Sequence, residues 1–564
     1  MRGLICLSEK YITYIASVFQ MFMDHFEKNN YSFLKQPIKI DGKQKTIVFL
    51  SIGSTNKRAR VLKEVGTSFS LVCSRLKKLV ISEMRKEELV PKWLKIDVVD
   101  QVEEISFDEL EKKIADTRKN YFRNGIAFDD NFNLAFLEQE LNSNVMIRSI
   151  KKSPLQLDEK NINSYMQQNK VNRLPFLREM YINRNVYLFK TKSLFKNMHE
   201  DTIYELYSNG QMNGVRKVTQ TKKEVGKLIH TTTDYLINQM KKTGQLDNGY
   251  YSPFAKEFAT DSFLYQLFAL YTLGERYNQT YGEKTVEVIE CGIASLLQDA
   301  IVYKNNEIAF VVDQSKENEI TLAANALSIL LMVKYMEITQ TRKYMQSVQL
   351  LANGMIDLKN EDGEFTHVIT YPQFAVKEQR RSINHDGVAT FALLKLYEID
   401  FEEYLFNEVK LSFAVFIEKE YWRYHNQWIS RAVNELVIYK PEDQYFEFGL
   451  KNCNKILSLI YHRDTTYPVF LELLICTYKM VKRIRELKKH HLLIHIDEQL
   501  LYKTIDHRAE YQRCGFLYPE IAMYMKIPEL VLNRFFTRHQ NFRTSIEEIS
   551  LYLSSYHQYY QYRL

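Results

Sequence analysis

Apolar positions in the second half of the chain recur with helical spacing. Ala269-Leu270-Tyr271, Ala326-Leu327 with Tyr335, Ala392-Leu393-Leu394 with Leu396-Tyr397, and Ala432-Val433 with Leu436 and Tyr439 each lie within a pattern of about 3.6 residues. Several are followed by a short polar break and then a tyrosine that opens a second pattern: Tyr344, Tyr404 and Tyr445. This cadence predicts helical hairpins over 258–277 with 285–303, 322–338 with 344–358, 387–399 with 401–417, and 428–439 with 445–460. Helices over 469–489 and 497–509 continue the series. Stacked hairpins form either an open superhelix or a closed α/α toroid. The links here are long and unequal, as when loops build a pocket at one end of a barrel, which favours the toroid.

The first third has a different texture. Residues 45–52 (KTIVFLSI) read as a strand, 68–80 as a helix and 93–99 (WLKIDVV) as a second strand. Ser106 followed by Glu109 is a capping signature that opens a helix. Asn209-Gly210 and Asn213-Gly214 mark turns. The expected organisation is an N-terminal helical segment (1–37), an α/β domain (38–225), an α/α-toroid domain (226–510) and a C-terminal closing segment (511–564).

Composition agrees with a mostly helical fold carrying an α/β part. The chain has 564 residues, 45% hydrophobic and 26% charged, with only 18 Gly and 10 Pro. Its 38 Tyr and 33 Phe carry large apolar area, and Tyr also lines sugar and nucleobase sites. A net charge of +7 is a mild bias. The basic run 479–491 (KMVKRIRELKKHH) reads as a solvated helix face or as a contact for an anionic surface. The six cysteines, Cys6, Cys73, Cys291, Cys453, Cys476 and Cys514, form no CxxC pair and suit a reducing compartment. No metal-ligand spacing and no cofactor fingerprint occurs, so neither is expected. The apolar stretch 11–22 (YITYIASVFQMF) is shorter than the roughly 20 residues of a membrane span. It predicts a packed or interfacial amphipathic helix.

The helical half resembles the six-hairpin, α/α-toroid superfamily of carbohydrate-active proteins. The residues that carry the likeness are 263–277 (FLYQLFALYTLGERY), 323–335, Asp362-Gly363-Glu364-Phe365, and 388–404 (VATFALLKLYEIDFEEY). The tail 515–560 also looks like that of a group of bacterial proteins associated with cell-envelope polysaccharide. In such proteins an Arg-His pair would enter the first hairpin, where this chain has Thr260-Asp261. The resemblance implies carbohydrate binding or processing in envelope or capsular polysaccharide metabolism. The alternative is a non-catalytic helical-repeat scaffold in a biosynthetic complex.

Glycoside chemistry needs two carboxyl groups flanking the scissile bond. Asp386 is the leading candidate, with His385 beside it as an assisting acid or base and Asp261 or Asp313 as the partner carboxylate. The competing reading is that each of these aspartates is a helix cap or a surface acid, with Asp386 capping its helix and His385 exposed. Tyr421, Trp422, Tyr424, His425 and Trp428 gather at a hairpin entrance and suit a sugar-stacking subsite, or else a packed loop. Arg538, His539 and Arg543 suit a carboxylate or phosphate, or else a structural ion-pair network. The run 51–60 (SIGSTNKRAR) follows a strand and suits a phosphate cradle or a basic turn; it lacks P-loop spacing. The expected partners are a glycan or its precursor and proteins of a biosynthetic complex, with no nucleic acid. The expected location is the cytoplasm, with at most peripheral contact with the inner membrane face.

Overall fold

In the computed structural model, residues 2–86, 90–151, 153–171, 174–243, 249–258, 262–277 and 282–564 are described. They form two compact units. The first comprises Met1–Thr219, Tyr250–Phe258 and Arg513–Thr544, and the second Gln220–Gly249, Ala259–Gln512 and Ser545–Leu564. Residues 250–258, expected within the toroid, and 513–544, expected within the closing segment, thus cluster with the N-terminal part.

The first unit is built on an eight-stranded sheet whose described pairings are antiparallel. It contains β1 (Ile38–Ile40), β2 (Lys43–Gly53), β3 (Arg60–Gly66), β4 (Trp93–Ser106), β5 (Gly125–Ala127), β6 (Ala135–Phe136), β9 (Asn185–Asn197) and β10 (Ile203–Glu205). A separate hairpin pairs β7 (Ile147–Ser149) with β8 (Leu155–Leu157). The run read as a strand at 45–52 is the centre of β2. One face of β2 and β4, with Val48, Leu50, Leu94 and Ile96, packs on two helices, α1 (Arg2–Lys28) and α2 (Phe69–Lys86). Within α1, Ile15, Val18, Phe19, Phe22 and Phe26 are buried in this core. The apolar stretch at 11–22 is therefore a packed helix. Each such aromatic contributes about 1.5–3 kcal/mol by leaving water. Helix α3 (Phe107–Ala115) starts as its capping signature predicts, the Ser106 side chain accepting from Glu109 N. Helices α4 (Glu138–Ser143) and α5 (Glu159–Gln168) complete the elements that matter below.

The opposite face of the sheet is partly polar. Lys95 Nζ lies 2.6 Å from Asp97 Oδ1, which also accepts from Ser193 Oγ at 2.6 Å. Both members of this ion pair are buried.

The second unit is an α/α toroid. Apart from the short helix Leu457–His462, its long helices are α6 (Thr221–Thr243), α7 (Ser262–Glu275), α8 (Gly282–Asp299), α9 (Leu322–Thr339), α10 (Met345–Asp357), α11 (Ile383–Asp400), α12 (Glu403–Glu418), α13 (Gln427–Tyr439), α14 (Asp443–Asn454), α15 (Val469–Glu486), α16 (Glu498–Tyr511) and α17 (Ile546–Tyr562). The six odd-numbered helices touch in sequence, and α17 closes the ring by packing against both α15 and α7. The even-numbered helices lie outside them. This alternation explains the apolar cadence: α9 and α11 are buried on nearly all sides, whereas outer helices bury one stripe. Helix α9 is long and apolar enough to cross a membrane, but its side chains fill the ring.

A five-stranded antiparallel sheet occupies the links: β11 (Ile301–Tyr303), β12 (Ala309–Asp313), β13 (Glu319–Thr321), β14 (Val368–Thr370) and β15 (Ala375–Glu378). Helices expected at 258–277 and 285–303 are shorter, because 256–258 and 301–303 are strands.

Candidate functional site

The sheet delivers side chains to the start of α11. Pairing of β13 with β14 sets Thr321 opposite Val368, and Leu322 N then donates to His367 O at 2.9 Å. Beyond β15, residues Arg380-Arg381-Ser382 turn the chain into α11, which Ser382 caps by accepting from Asn384 N. His385 and Asp386 therefore lie in the first helical turn, and Asp386 is not the cap.

His367 is fully buried. Its Nδ1 accepts from the backbone N–H groups of Arg381 at 2.8 Å and Ser382 at 3.2 Å. The proton must then sit on Nε2, which donates to Asp386 Oδ2 at 3.1 Å. The His385 ring stacks on His367 at 4.9 Å, and its Nδ1 is buried with no hydrogen-bond partner. Burial, reinforced by His367 and Arg381, pushes the His385 imidazole down to about 3, so it is neutral at pH 7. Glu319 of β13 receives both arms of Arg381 at 2.8 and 2.9 Å, which hold its carboxyl near about 2. Gly387 allows close approach of α13 at this point. A Cβ there would meet Ile429 N at 2.8 Å and Trp428 Cβ at 2.9 Å.

The structure brings His385 and Asp386 together and adds His367, while Asp313 is hydrogen-bonded elsewhere. Asp313 ends β12 and caps the next turn, its Oδ1 accepting from Ser315 N at 3.0 Å and Ser315 Oγ at 2.6 Å. It borders a separate cavity of about 680 Å³ beside Leu270, Val288 and Leu296. Asp261 lies outside the described residues.

The aromatic entrance does not form one platform. Trp428 is 8% exposed and packs inside the ring against Phe268 at 5.8 Å and Phe391 at 6.0 Å. Tyr421 is buried against Phe416, and Tyr424 points outward with 52% exposure. Trp422 lies between Arg423 and Lys455, each 5.2 Å from its ring. His425 Nδ1 donates to Asn452 O at 2.8 Å. The helical period separates them: α13 begins at Gln427, turning Trp428 inward, while Tyr421–Tyr424 form a 3-10 turn.

Arg538, His539 and Arg543 belong to the first unit. Arg538 is buried, 3.8 Å from Glu138, with its guanidinium 5.0 Å from the Phe542 ring. His539 lies in the 3-10 turn Arg538–Gln540, and Arg543 pairs with Tyr251 in a short strand. The arrangement around Arg538 is an internal network.

One buried, multiply bonded charge of the toroid is a residue that sequence reasoning missed. Arg431 of α13 donates to Glu275 of α7 at 2.8 Å, to Glu472 of α15, and to Ser554 of α17 at 2.9 Å. It borders a cavity of about 370 Å³ that takes side chains from all six inner helices, so the cavity lies on the ring axis. Glu337, Lys395, Glu435 and Lys479 face it, with Tyr271 and Phe391 beside them. The only sequence signal was an arginine within the apolar run of α13 and a glutamate within that of α15.

Among the described residues no cluster of His, Cys, Asp or Glu is arranged to hold a metal ion. Five described cysteines are free thiols, of which Cys291 alone is exposed.

No protein-family model and no curated protein sequence matches the chain. Several solved structures resemble it. A D-mannose isomerase aligns at 11% identity with a TM-score of 0.45, over 61% of this chain and 99% of that one. A GH76 α-mannanase of Bacteroides thetaiotaomicron aligns at 11% identity and 0.43, over 60% and 96%. A sugar epimerase from a ruminal bacterium aligns at 12% identity and 0.42, over 52% and 88%. At these identities and scores the likenesses assign no activity, and the toroid is defined by its ring of six inner helices.

Proposed function

We propose that the helical unit binds a carbohydrate, a glycan or glycan precursor of bacterial envelope or capsular polysaccharide metabolism. The observation that carries this reading is the axial cavity. Its volume of about 370 Å³ suits a small ligand. Its charges, Glu275, Glu337 and Glu435 against Lys334, Lys395, Arg431 and Lys479, nearly cancel. A wall of closely mixed donors and acceptors with aromatic neighbours suits a neutral polyhydroxylated ligand better than a strongly charged or an apolar one.

Processing is the less supported half of the proposal. In it, Asp386 with His385 would act as acid and base, and Asp261 or Asp313 as partner. Asp386 does not line the axial cavity; the lining residue of α11 nearest to it is Phe391, five positions on, or about 7.5 Å at 1.5 Å per residue. The rival reading is a non-catalytic scaffold whose hairpins present a protein-binding surface. It is favoured by the burial of His385 and Asp386, at 7% and 2% exposure. We place the protein in the cytoplasm, with at most salt-sensitive membrane contact.

A glycan array followed by calorimetry on the full chain tests the proposal. Binding that weakens in Glu435→Gln but persists in Asp386→Asn supports a binding protein using the axial cavity. Absence of carbohydrate binding, with stoichiometric protein partners in a pull-down, selects the scaffold. A gene neighbourhood lacking glycosyltransferases would remove the envelope assignment.

A further inference from the structure

The first unit holds a cavity of about 380 Å³, within the roughly 300–1,000 Å³ of small-ligand sites. Three stretches of chain supply its cations. Lys57, Arg58 and Arg60 come from the run after β2, Lys170 from beyond α5, and Lys526 from the returning segment 513–544.

Two carboxylates share the lining, and both are engaged. Glu83 Oε2 lies 3.6 Å from Arg60 Nε. Glu140 accepts from the Tyr165 hydroxyl and, at 2.8 Å, from Leu137 N. Among the described residues Arg58 is held by carbonyl oxygens only: Ser143 at 3.0 Å, Tyr524 at 2.6 Å, and Pro253. Its charge is fixed in place and meets no carboxylate among them. Lys57 and Lys526 are exposed and make no ion pair among the described residues.

We propose that this cavity binds a phosphorylated sugar, with the phosphate held by Arg58, Lys57 and Lys526. Three unmatched cations suit a phosphate monoester, which carries about −1.5 to −2 at pH 7. A lone carboxylate would leave two of them unbalanced. The side-chain carbonyls of Asn144 and Gln168 line the same space, accept from no donor among the described residues and are placed to take sugar hydroxyls. Burial raises the Glu140 carboxyl to about 7, so it repels a neighbouring anion less than an ordinary carboxylate would. The run 51–60, read from sequence as a cradle or a basic turn, supplies three of the five cations.

This inference does not rest on the reading of the helical unit, which contributes no residue to the cavity. Calorimetry on the full chain at low salt would compare glucose 1-phosphate, inorganic phosphate and glucose. Glucose 1-phosphate is expected to bind one per chain and glucose not to bind at this site. The double variant Lys57→Gln/Lys526→Gln, at two exposed positions that leave the fold intact, is expected to weaken binding by about tenfold or more. Failure of both phosphate and glucose 1-phosphate to bind would overturn the proposal. So would equal binding of glucose and glucose 1-phosphate, or wild-type affinity in the double variant. Inorganic phosphate binding as tightly as glucose 1-phosphate would overturn the sugar half. A glucose 1-phosphate site in the helical unit would survive the double variant and be recognised by that.

Discussion

Glu520 receives both of its hydrogen bonds from Arg216, at 2.8 Å from Nε and 2.6 Å from Nη2, and the pair is shut away from solvent. The Arg216 guanidinium lies 4.0 Å from the Tyr204 ring and 4.7 Å from Tyr518, and Arg513 donates to the Arg216 carbonyl at 2.6 Å. This cluster fastens the segment 513–544 into the first unit.

Removing one partner of a buried pair strands the other charge, at about 3–5 kcal/mol, whereas replacing both with apolar groups is often near neutral. We expect Glu520→Ala to lower the denaturation midpoint of the first unit sharply. The double change Arg216→Met/Glu520→Leu should recover most of that loss. Urea titration of the full chain checks both, and an unchanged midpoint for Glu520→Ala would refute the role given to the pair.

Two histidines of the toroid are held neutral. Burial is the main cause for both, pushing His385 to about 3 and His557 to about 4. Their folded values lie below the unfolded value of about 6.5, so the unfolded chain binds more protons in between. Their contribution is complete above about pH 6.5 and is lost as pH falls toward those values. Glu140 runs the other way. Burial raises it to about 7, so its contribution is complete below its unfolded value of about 4.3 and is lost as pH rises through 7. Between pH 7 and 5, acidification should weaken the toroid and strengthen the first unit. The difference curves of His385→Gln and Glu140→Gln against the wild type should therefore slope in opposite directions, and parallel slopes would refute the assignment.

The ring of helices was legible because inner and outer helices bury different amounts of surface. The all-apolar runs of α9 and α11 and the tyrosine-led breaks after them follow from that geometry. The strand at 45–52 was legible for the same reason, being buried on both faces. Two things left no trace. The pairs Arg431–Glu275 and Arg216–Glu520 join residues 156 and 304 positions apart, and periodicity does not report on partners so distant. The tail read as one closing segment divides at Thr544, because α17 closes the ring while 513–544 builds on the first unit. At the candidate site His385 and Asp386 could be named, but His367 could not. It follows an extended stretch before β14 and meets them only through sheet pairing.

Gly387 offers a direct test of the packing beside Asp386. The missing Cβ would sit 2.8 Å from a backbone nitrogen of α13, which cannot swing aside as a flexible side chain would. Overpacking of this kind typically costs about 1–3 kcal/mol. Gly387→Ala should lower the toroid's melting midpoint and shift the emission of Trp428, whose Cβ lies 2.9 Å from the same point. An unaltered midpoint and spectrum would mean that α11 and α13 are further apart than described.

Two features that could face a membrane, helix α1 and the basic run 479–491, have partners within the protein. Within α1, Ile15, Val18, Phe19, Phe22 and Phe26 pack on the sheet, where Phe22 and Phe26 are fully buried. Phe22→Ala should therefore cost about 3–5 kcal/mol of stability rather than alter lipid binding. Along the basic run, Lys489 and His491 both reach Asp443, at 2.5 and 2.7 Å, and Arg485 reaches Glu498 at 2.8 Å. These pairs offset only part of the run's charge, leaving Lys482 and Lys488 without an ion pair among the described residues, and their attraction to an anionic bilayer is screened within about 3 Å in 1 M salt. Cosedimentation with vesicles rich in phosphatidylglycerol should be weak at low salt and absent in high salt. Retention through the high-salt wash would show that an apolar surface of the protein enters the bilayer.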